Sequence, residues 1–204
     1  MNGLVLVGGG GHALVVAEAA RLSGMVLAGF LDDDEAAVLG RRESGLRRLG
    51  MLVARPERPW LLALGDIGTR RAWLEGAASW TRGASRAGVP AVHPRAIVSP
   101  TAKIGDGSYV GPGAIVHSFA RVSEHAIINS GAIVEHECEI GENVHVGPGA
   151  ALGGRVRVGP DSLVGLGARV LPNIRIGRCC TVAAGAVVVR DVADGAVVRG
   201  VPAR

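Results

Sequence analysis

Large rings are scarce in this chain. Of 204 residues only six are aromatic, three Trp, two Phe and one Tyr, so the interior must be filled by small and β-branched side chains. Lys103 is the only lysine among 22 basic residues. No basic tail exists: residues 1–90 and 91–204 each carry 11 basic and 9 acidic side chains. An even charge with so few aromatics to stack bases excludes a nucleic-acid-binding protein. The three cysteines, Cys138, Cys179 and Cys180, lack paired metal-ligand spacing, and two adjacent ones make a poor disulfide framework, so reduced structural thiols are expected. No apolar run approaches the ~20 residues of a membrane helix. Met1 leads directly into Leu4 to Val7 with no basic leader segment, from which a cytoplasmic chain is expected. A hydrophobic content of 48% against 20% charged rules out disorder, and 32 glycines without a three-residue period rule out collagen.

What the chain has in quantity is a period of six. Stepping by six from Val92 to Val188, all seventeen positions are aliphatic. Four places after many of them stands a small residue, as at Ala102, Ser108, Ala114, Ala120, Ala126, Ala132 and Cys138, and glycine often follows the aliphatic directly, as at Gly105, Gly141 and Gly159. Six matches neither the helical period of 3.6 nor strand alternation, and fits a solenoid in which each hexad is one flat side ending in a corner. The aliphatic points inward, the small residue completes a narrow interior, and Gly or Asn near the corners supplies unusual backbone angles. Three hexads to a coil make this similar to the left-handed parallel β-helix, whose hand comes from that resemblance. Val92 to Val188 then spans just over five coils.

The first ninety residues read differently. Leu4 to Val7, the turn Gly8-Gly9-Gly10-Gly11-His12 and Ala13 to Leu22 form a strand, a glycine-rich turn and a helix. Met25 to Leu31 is a second strand ending in Asp32-Asp33-Asp34, and Leu61 to Leu64 a third, followed by a helix through Arg70, Arg71 and Trp73. These are βαβ units of a small, Rossmann-like parallel sheet. Glycines after the first strand let an anion approach N–H groups at a helix start, and acidic residues after the second suit ribose hydroxyls or a base edge. About ninety residues is roughly one mononucleotide half, too little for a complete nicotinamide domain. The expected division is therefore a nucleotide-sugar-binding domain over 1–90 and a β-helix domain over 91–204.

Inward positions being aliphatic or small, the solenoid histidines His117, His125, His136 and His145 must lie on outer faces or corners. His136 stands in Glu135-His136-Glu137-Cys138 near a corner, where a carboxylate can orient an imidazole as a general base. One coil beyond it, three hexads on, is Gly154, whose backbone N–H is placed to hold an oxyanion. His145 is half a coil from His136, so a site using both lies between subunits. The spacings do not match the histidine pair of β-helical carbonic anhydrases, so no metal is expected. Cys138, at an inward small position, is not placed as a nucleophile.

With both halves read, the chain resembles the bacterial sialic-acid O-acetyltransferase (NeuD) family, which includes N-acetyltransferases of nucleotide-linked amino sugars. The shared segments are V-G-G-G-G-H at Val7 to His12, F-L-D-D-D at Phe30 to Asp34, A-L-G-D-x-x-x-R at Ala63 to Arg70, V-H-P at Val92 to Pro94, N-x-G-x-x-V-E-H-E-C at Asn129 to Cys138, H-V-x-x-G-A at His145 to Ala150 and G-V-P-A-R at Gly200 to Arg204. The resemblance implies an acetyl-CoA-dependent acetyltransferase working as a homotrimer with sites between solenoids and without a metal. It implies His136 as the base, Glu137 as its orienting carboxylate, Gly154 as the oxyanion donor, and His145, Leu166 and Ala184 along acetyl-CoA. Gly10, Gly11 and His12 would meet the phosphates or sugar, with Asp32 and Asp33 at the ribose or base. The acceptor expected is a nucleotide-activated 4-amino-4,6-dideoxy sugar for a surface glycan. The alternatives are O-acetylation of sialic acid or another sugar, and a non-catalytic nucleotide-sugar-binding solenoid. Residues 35–60 match the family weakly, which leaves the sugar open.

Overall fold

A computed structural model describes residues 3–42, 45–54, 56, 58–78 and 90–204. The first part is a four-stranded parallel sheet in the order β3-β2-β1-β4, with β1 at Leu4–Val7, β2 at Leu27–Leu31, β3 at Arg48–Gly50 and β4 at Trp60–Leu62. Helix α1 spans Gly11–Leu22, α2 Val38–Arg42 and α3 Ile67–Ala78. The short α2 and β3 were not anticipated, because elements of five and three residues are too short to show a period. The N-terminus of α3 is fixed by Asp66, whose Oδ1 accepts from the Thr69 N–H at 2.8 Å and its hydroxyl at 2.7 Å, which spares one of the orphan amides of a helix start. The expected boundary at 90 adjoins residues 79–89, which lie outside the described residues.

From Ala91–Val92 to Val197–Val198 the chain winds a left-handed parallel β-helix of two-residue strands in three parallel sheets of seven, six and five strands. Partners along each sheet are one coil of three hexads apart, as in Ile127↔His145 and Val134↔Leu152. The aliphatic positions and the small residues form one continuous core. Where the small position is Ser, the hydroxyl is satisfied: Ser108 donates to the Ser123 carbonyl at 2.9 Å and Ser162 to the Gly177 carbonyl at 2.8 Å. The winding continues past Val188, the last position of the unbroken six-residue period, since the last coil is slightly shortened and Thr181 pairs with Val197.

The corners follow a rule stricter than the one read from sequence. Every sixth residue from 107 to 185 has positive φ, and six of these are neither Gly nor Asn: Phe119, His125, Glu137, Arg155, Asp161 and Cys179, with φ between 54 and 61°. Glycines directly after the inward aliphatic serve another purpose: a Cβ at Gly141 or Gly159 would lie 2.7 or 2.6 Å from backbone nitrogen of the next coil.

The three faces of the prism differ in their outward strand residues. The five-stranded face shows Lys103, Arg121, Glu139, Arg157 and Arg175; the six-stranded face Ile97, Ile115, Ile133, Ala151, Arg169 and Val187; the seven-stranded face begins Ala91, Tyr109, Ile127, His145. Among the described residues, only the last is covered. Tyr109 and Ile127 are buried against Ala13, Val16, Ala17 and Ala20 of α1 in a shared core with β1 and β2, so the α/β part sits on that face and on the corner beside it.

Candidate active site

The corner between the six- and five-stranded faces carries His136. Its Nδ1 donates to Glu137 Oε2 at 3.0 Å, an assignment that makes Nε2 the acceptor nitrogen of the neutral ring. Nε2 lies directly over Gly154: a Cβ there would be 2.5 Å from it. Gly154 is therefore glycine because the imidazole occupies the space, which the coil spacing alone did not reveal. Imidazole and carboxylate are each about half exposed, at 49% and 51%. Cys138 behind them is buried, its Sγ 3.2 Å from the Gly153 carbonyl, and burial raises its pKa to about 11, which disfavours a thiolate.

The junction of the two parts gathers a second set. His12, in the first turn of α1, meets the Tyr109 ring edge-on at 5.5 Å and the His145 ring at 6.3 Å. Asn129 Nδ2 donates to His145 Nε2 at 3.1 Å, and the Gly65 carbonyl accepts from the same ring. Burial first, then the Arg70 charge, lower His12 to about 3 and His145 to about 4. Arg70 itself is fully buried; its Nε donates to Asn143 Oδ1 at 2.8 Å, Nη1 to the Leu64 carbonyl at 3.0 Å and Nη2 to the His125 carbonyl. These acceptors are all neutral. The sequence reading did not single out Arg70, Tyr109 or Asn129 as site residues; an apolar Tyr109 and Ile127 at outward hexad positions were the available sign of a covered face.

Within the α/β part, Gly8 is required by its φ of 113° and Gly9 by packing, because a Cβ there would meet the Phe30 ring at 2.6 Å. Gly10 and Gly11 are not: a Cβ on either meets nothing within 4 Å. Gly10 has φ −77° and caps α1 without a side-chain hydrogen bond. Neither sterics nor dihedral demands glycine at Gly10, and the space over the helix N-terminus is open there. Asp32 lies beside the turn, accepting from Gly9 N–H at 2.6 Å and from Asp34 N–H at 2.8 Å. Asp33 accepts from Leu52 N–H at 2.9 Å.

Leu166 is exposed, at 61%, and neighbours Ala184 one coil on, where the Gly185 N–H donates to the Leu166 carbonyl at 2.8 Å. Both stand on the corner between the seven- and six-stranded faces, not on that of His136. One chain therefore brings together His136, Glu137 and Gly154, and separately His12 and His145, with Leu166 and Ala184 on a different corner from His136. No group of three or more His, Cys, Asp or Glu among the described residues is arranged to hold a metal ion, and none of the described helices is long and apolar enough to cross a membrane.

Two family models match the chain: the PglD N-terminal domain over residues 3–77, and the bacterial transferase hexapeptide, six repeats, over residues 119–154. No curated protein matches it. Among solved structures, PerB from Caulobacter crescentus, in complex with CoA and GDP-perosamine, is 37% identical, with 100% of this chain and 97% of that chain covered and a TM-score of 0.89. The acetyltransferase domain of PglB from Neisseria gonorrhoeae, in complex with acetyl coenzyme A, is 36% identical, with coverage of 100% and 99% and a TM-score of 0.85. WeeI from Acinetobacter baumannii shares the fold at 23% identity, 100% and 99% coverage and a TM-score of 0.84.

Proposed function

The chain belongs to the NeuD/PglD-type family of hexapeptide-repeat sugar acetyltransferases, and we propose that it acetylates the amine of a nucleotide-activated 4-amino-4,6-dideoxy sugar for a surface glycan. The observation that carries the mechanism is the seat of the His136 imidazole, with Glu137 on Nδ1 and Gly154 under Nε2. Nε2 takes a proton from the acceptor amine as its nitrogen attacks the thioester carbon. The Gly154 N–H holds the oxygen as it gains charge. Collapse of the tetrahedral intermediate expels the CoA thiolate, which receives the proton from His136, so no acyl-enzyme is needed. Acetyl-CoA is the donor; PerB and the PglB domain hold CoA and acetyl coenzyme A.

The acceptor reading rests on the open glycines of α1 for phosphate and on the junction for the sugar. His12 Nε2 and the Tyr109 hydroxyl are buried there without a hydrogen-bond partner among the described residues, as expected of a pocket whose polar groups await a ligand. PerB is in complex with GDP-perosamine, a ligand of this class.

A homotrimer fits the six-stranded face, where Ile97 is 65% exposed and Ile115, Ile133 and Ala151 continue an apolar stripe that Arg169 interrupts before Val187. That face is bounded by the His136 corner on one edge and the Leu166–Ala184 corner on the other. Cyclic packing joins unlike edges, which sets His136 of one subunit beside Leu166, Ala184 and the adjoining His12–His145 junction of the next. The site is then completed only between subunits, in the cytoplasm where acetyl-CoA is made available.

The test is thiol release from acetyl-CoA with UDP-, GDP- and dTDP-linked 4-amino sugars beside free sialic acid, using wild type, His136→Ala and Ile133→Arg. Expected is turnover with one amino sugar, a loss of about 10²- to 10⁴-fold in His136→Ala, and an inactive monomer by light scattering for Ile133→Arg. Turnover with sialic acid alone would establish O-acetylation instead. Silence across the panel would return the protein to the class of nucleotide-sugar binders.

A further inference from the structure

We propose that Arg155 is a positioning residue of the transfer site, sharing Glu137 with His136 so that the carboxylate stays on the imidazole. This rests on the role given to His136 above. Glu137, Arg155 and Asn173 follow one another at intervals of one coil and stack on one corner, all with positive φ of 59, 61 and 65°. Arg155 Nη1 lies 3.6 Å from Glu137 Oε2, the oxygen that accepts from His136 Nδ1 at 3.0 Å. Arg155 Nε donates to Asn173 Oδ1 at 2.8 Å, so the guanidinium is itself held. Its backbone N–H donates to the carbonyl of His136 at 2.9 Å. The main-chain bond is the one every such corner makes, so what the arginine side chain adds is the ion pair to the carboxylate that orients the ring.

The arrangement is directed at geometry rather than stability. Arg155 and Glu137 are 57% and 51% exposed, and exposed ion pairs add little to folding. A carboxylate on an open corner with one neutral partner is free to change rotamer, and the imidazole turns with it; a guanidinium bound at two ends removes that freedom. A small displacement of a base is costly to rate even where it is invisible to stability. Arginine also suits the position better than lysine, since a planar fork holds Glu137 and Asn173 from different nitrogens at once. Arginine is not a residue the backbone prefers here: left-handed conformation favours Gly or Asn, and the corner holds Arg155 at that cost.

The experiment is steady-state kinetics of the full chain carrying Arg155→Asn or Arg155→Lys, alone and combined with Glu137→Gln, with melting temperature as a control. Asn suits a positive φ, so Arg155→Asn folds. Expected is a kcat about tenfold lower in Arg155→Asn, with both KM values within about twofold; a partial return of kcat in Arg155→Lys; and no further loss when Arg155→Asn is added to Glu137→Gln. A rise in the KM for acetyl-CoA at unchanged kcat overturns the proposal and makes Arg155 a contact of the donor. Losses that multiply across the double variant overturn it as well. If Glu137→Gln and His136→Ala both keep wild-type kcat, the general-base reading fails and the proposal with it; if both are impaired while Arg155→Asn is not, only the proposal fails.

Discussion

His136 and the pair His12 and His145 are the same residue type within one small protein, and their surroundings are opposite. His136 stands half exposed on a corner with a carboxylate on Nδ1 and a glycine beneath Nε2. His12 and His145 are packed at the junction, where the neighbouring charge is the buried guanidinium of Arg70, and both are driven far below the ordinary imidazole pKa. His125 joins them: stacked on Trp60 at 5.3 Å, it is lowered to about 4 by burial, then by Arg70, against a smaller opposing effect of Asp106. A histidine beside a carboxylate at the solvent boundary can accept a proton and pass it on. One desolvated beside a cation remains neutral, and serves by shape and hydrogen bonding.

The junction side of that contrast depends on Arg70, and replacing it gives the largest effect. Arg70→Met strands the Asn143 amide oxygen and the carbonyls of Leu64 and His125, and buried acceptors that lose a charged donor are expensive. A loss of about 3 kcal/mol in unfolding free energy is expected, measured by urea denaturation. The corner side is broken by Gly154→Ala. The new methyl meets His136 Nε2 at 2.5 Å, so the imidazole must turn away. Gly154 is not among the positive-φ residues, and alanine is therefore acceptable to the backbone. We expect kcat to fall about 100-fold with an unchanged melting temperature. If kcat holds, the proton does not move at this corner.

Much of this contrast could be read before the structure, and what could not has a physical reason. The period of six exposes the interior because each coil repeats the same inward step, and moving three hexads on from His136 reaches Gly154 by arithmetic. The faces were legible too, had the residue before each inward aliphatic been read: Lys103, Arg121, Glu139, Arg157 and Arg175 against Ala91, Tyr109 and Ile127. That His12 approaches His145 is another matter. It depends on where α1 lands on the solenoid, a contact between residues far apart in the chain that no local period encodes. The motif A-L-G-D-x-x-x-R was visible as a segment, but its meaning was not: Gly65 lies against His12, with its Cβ position 3.3 Å from the His12 Cβ, Asp66 starts α3, and Arg70 pins the junction. The shortened last coil was missed because its missing positions end the period that revealed the others.

The smallest effect, and the sharpest test of the contrast, is acid stability. In the unfolded chain an imidazole titrates near 6.5, whereas His12 and His145 in the folded chain titrate at about 3 and about 4. Between these values the unfolded state binds more protons, so unfolding free energy rises with pH across the window and is lost as pH falls from about 6.5 towards 4. At pH 5.5 each of these two histidines should cost about 1 kcal/mol relative to neutral pH. His12→Asn and His145→Asn remove a titrating group while keeping a polar side chain. Each variant, compared with itself at pH 7.5 and 5.5 by urea denaturation, should lose less stability than wild type over the same interval. Arg70→Met should also soften the acid loss, because the cation that opposes protonation of both rings is gone. A wild type whose stability is flat between pH 6.5 and 4 would mean that the junction admits water and protons freely, and the distinction between an exposed corner and a desolvated junction would then have to be abandoned.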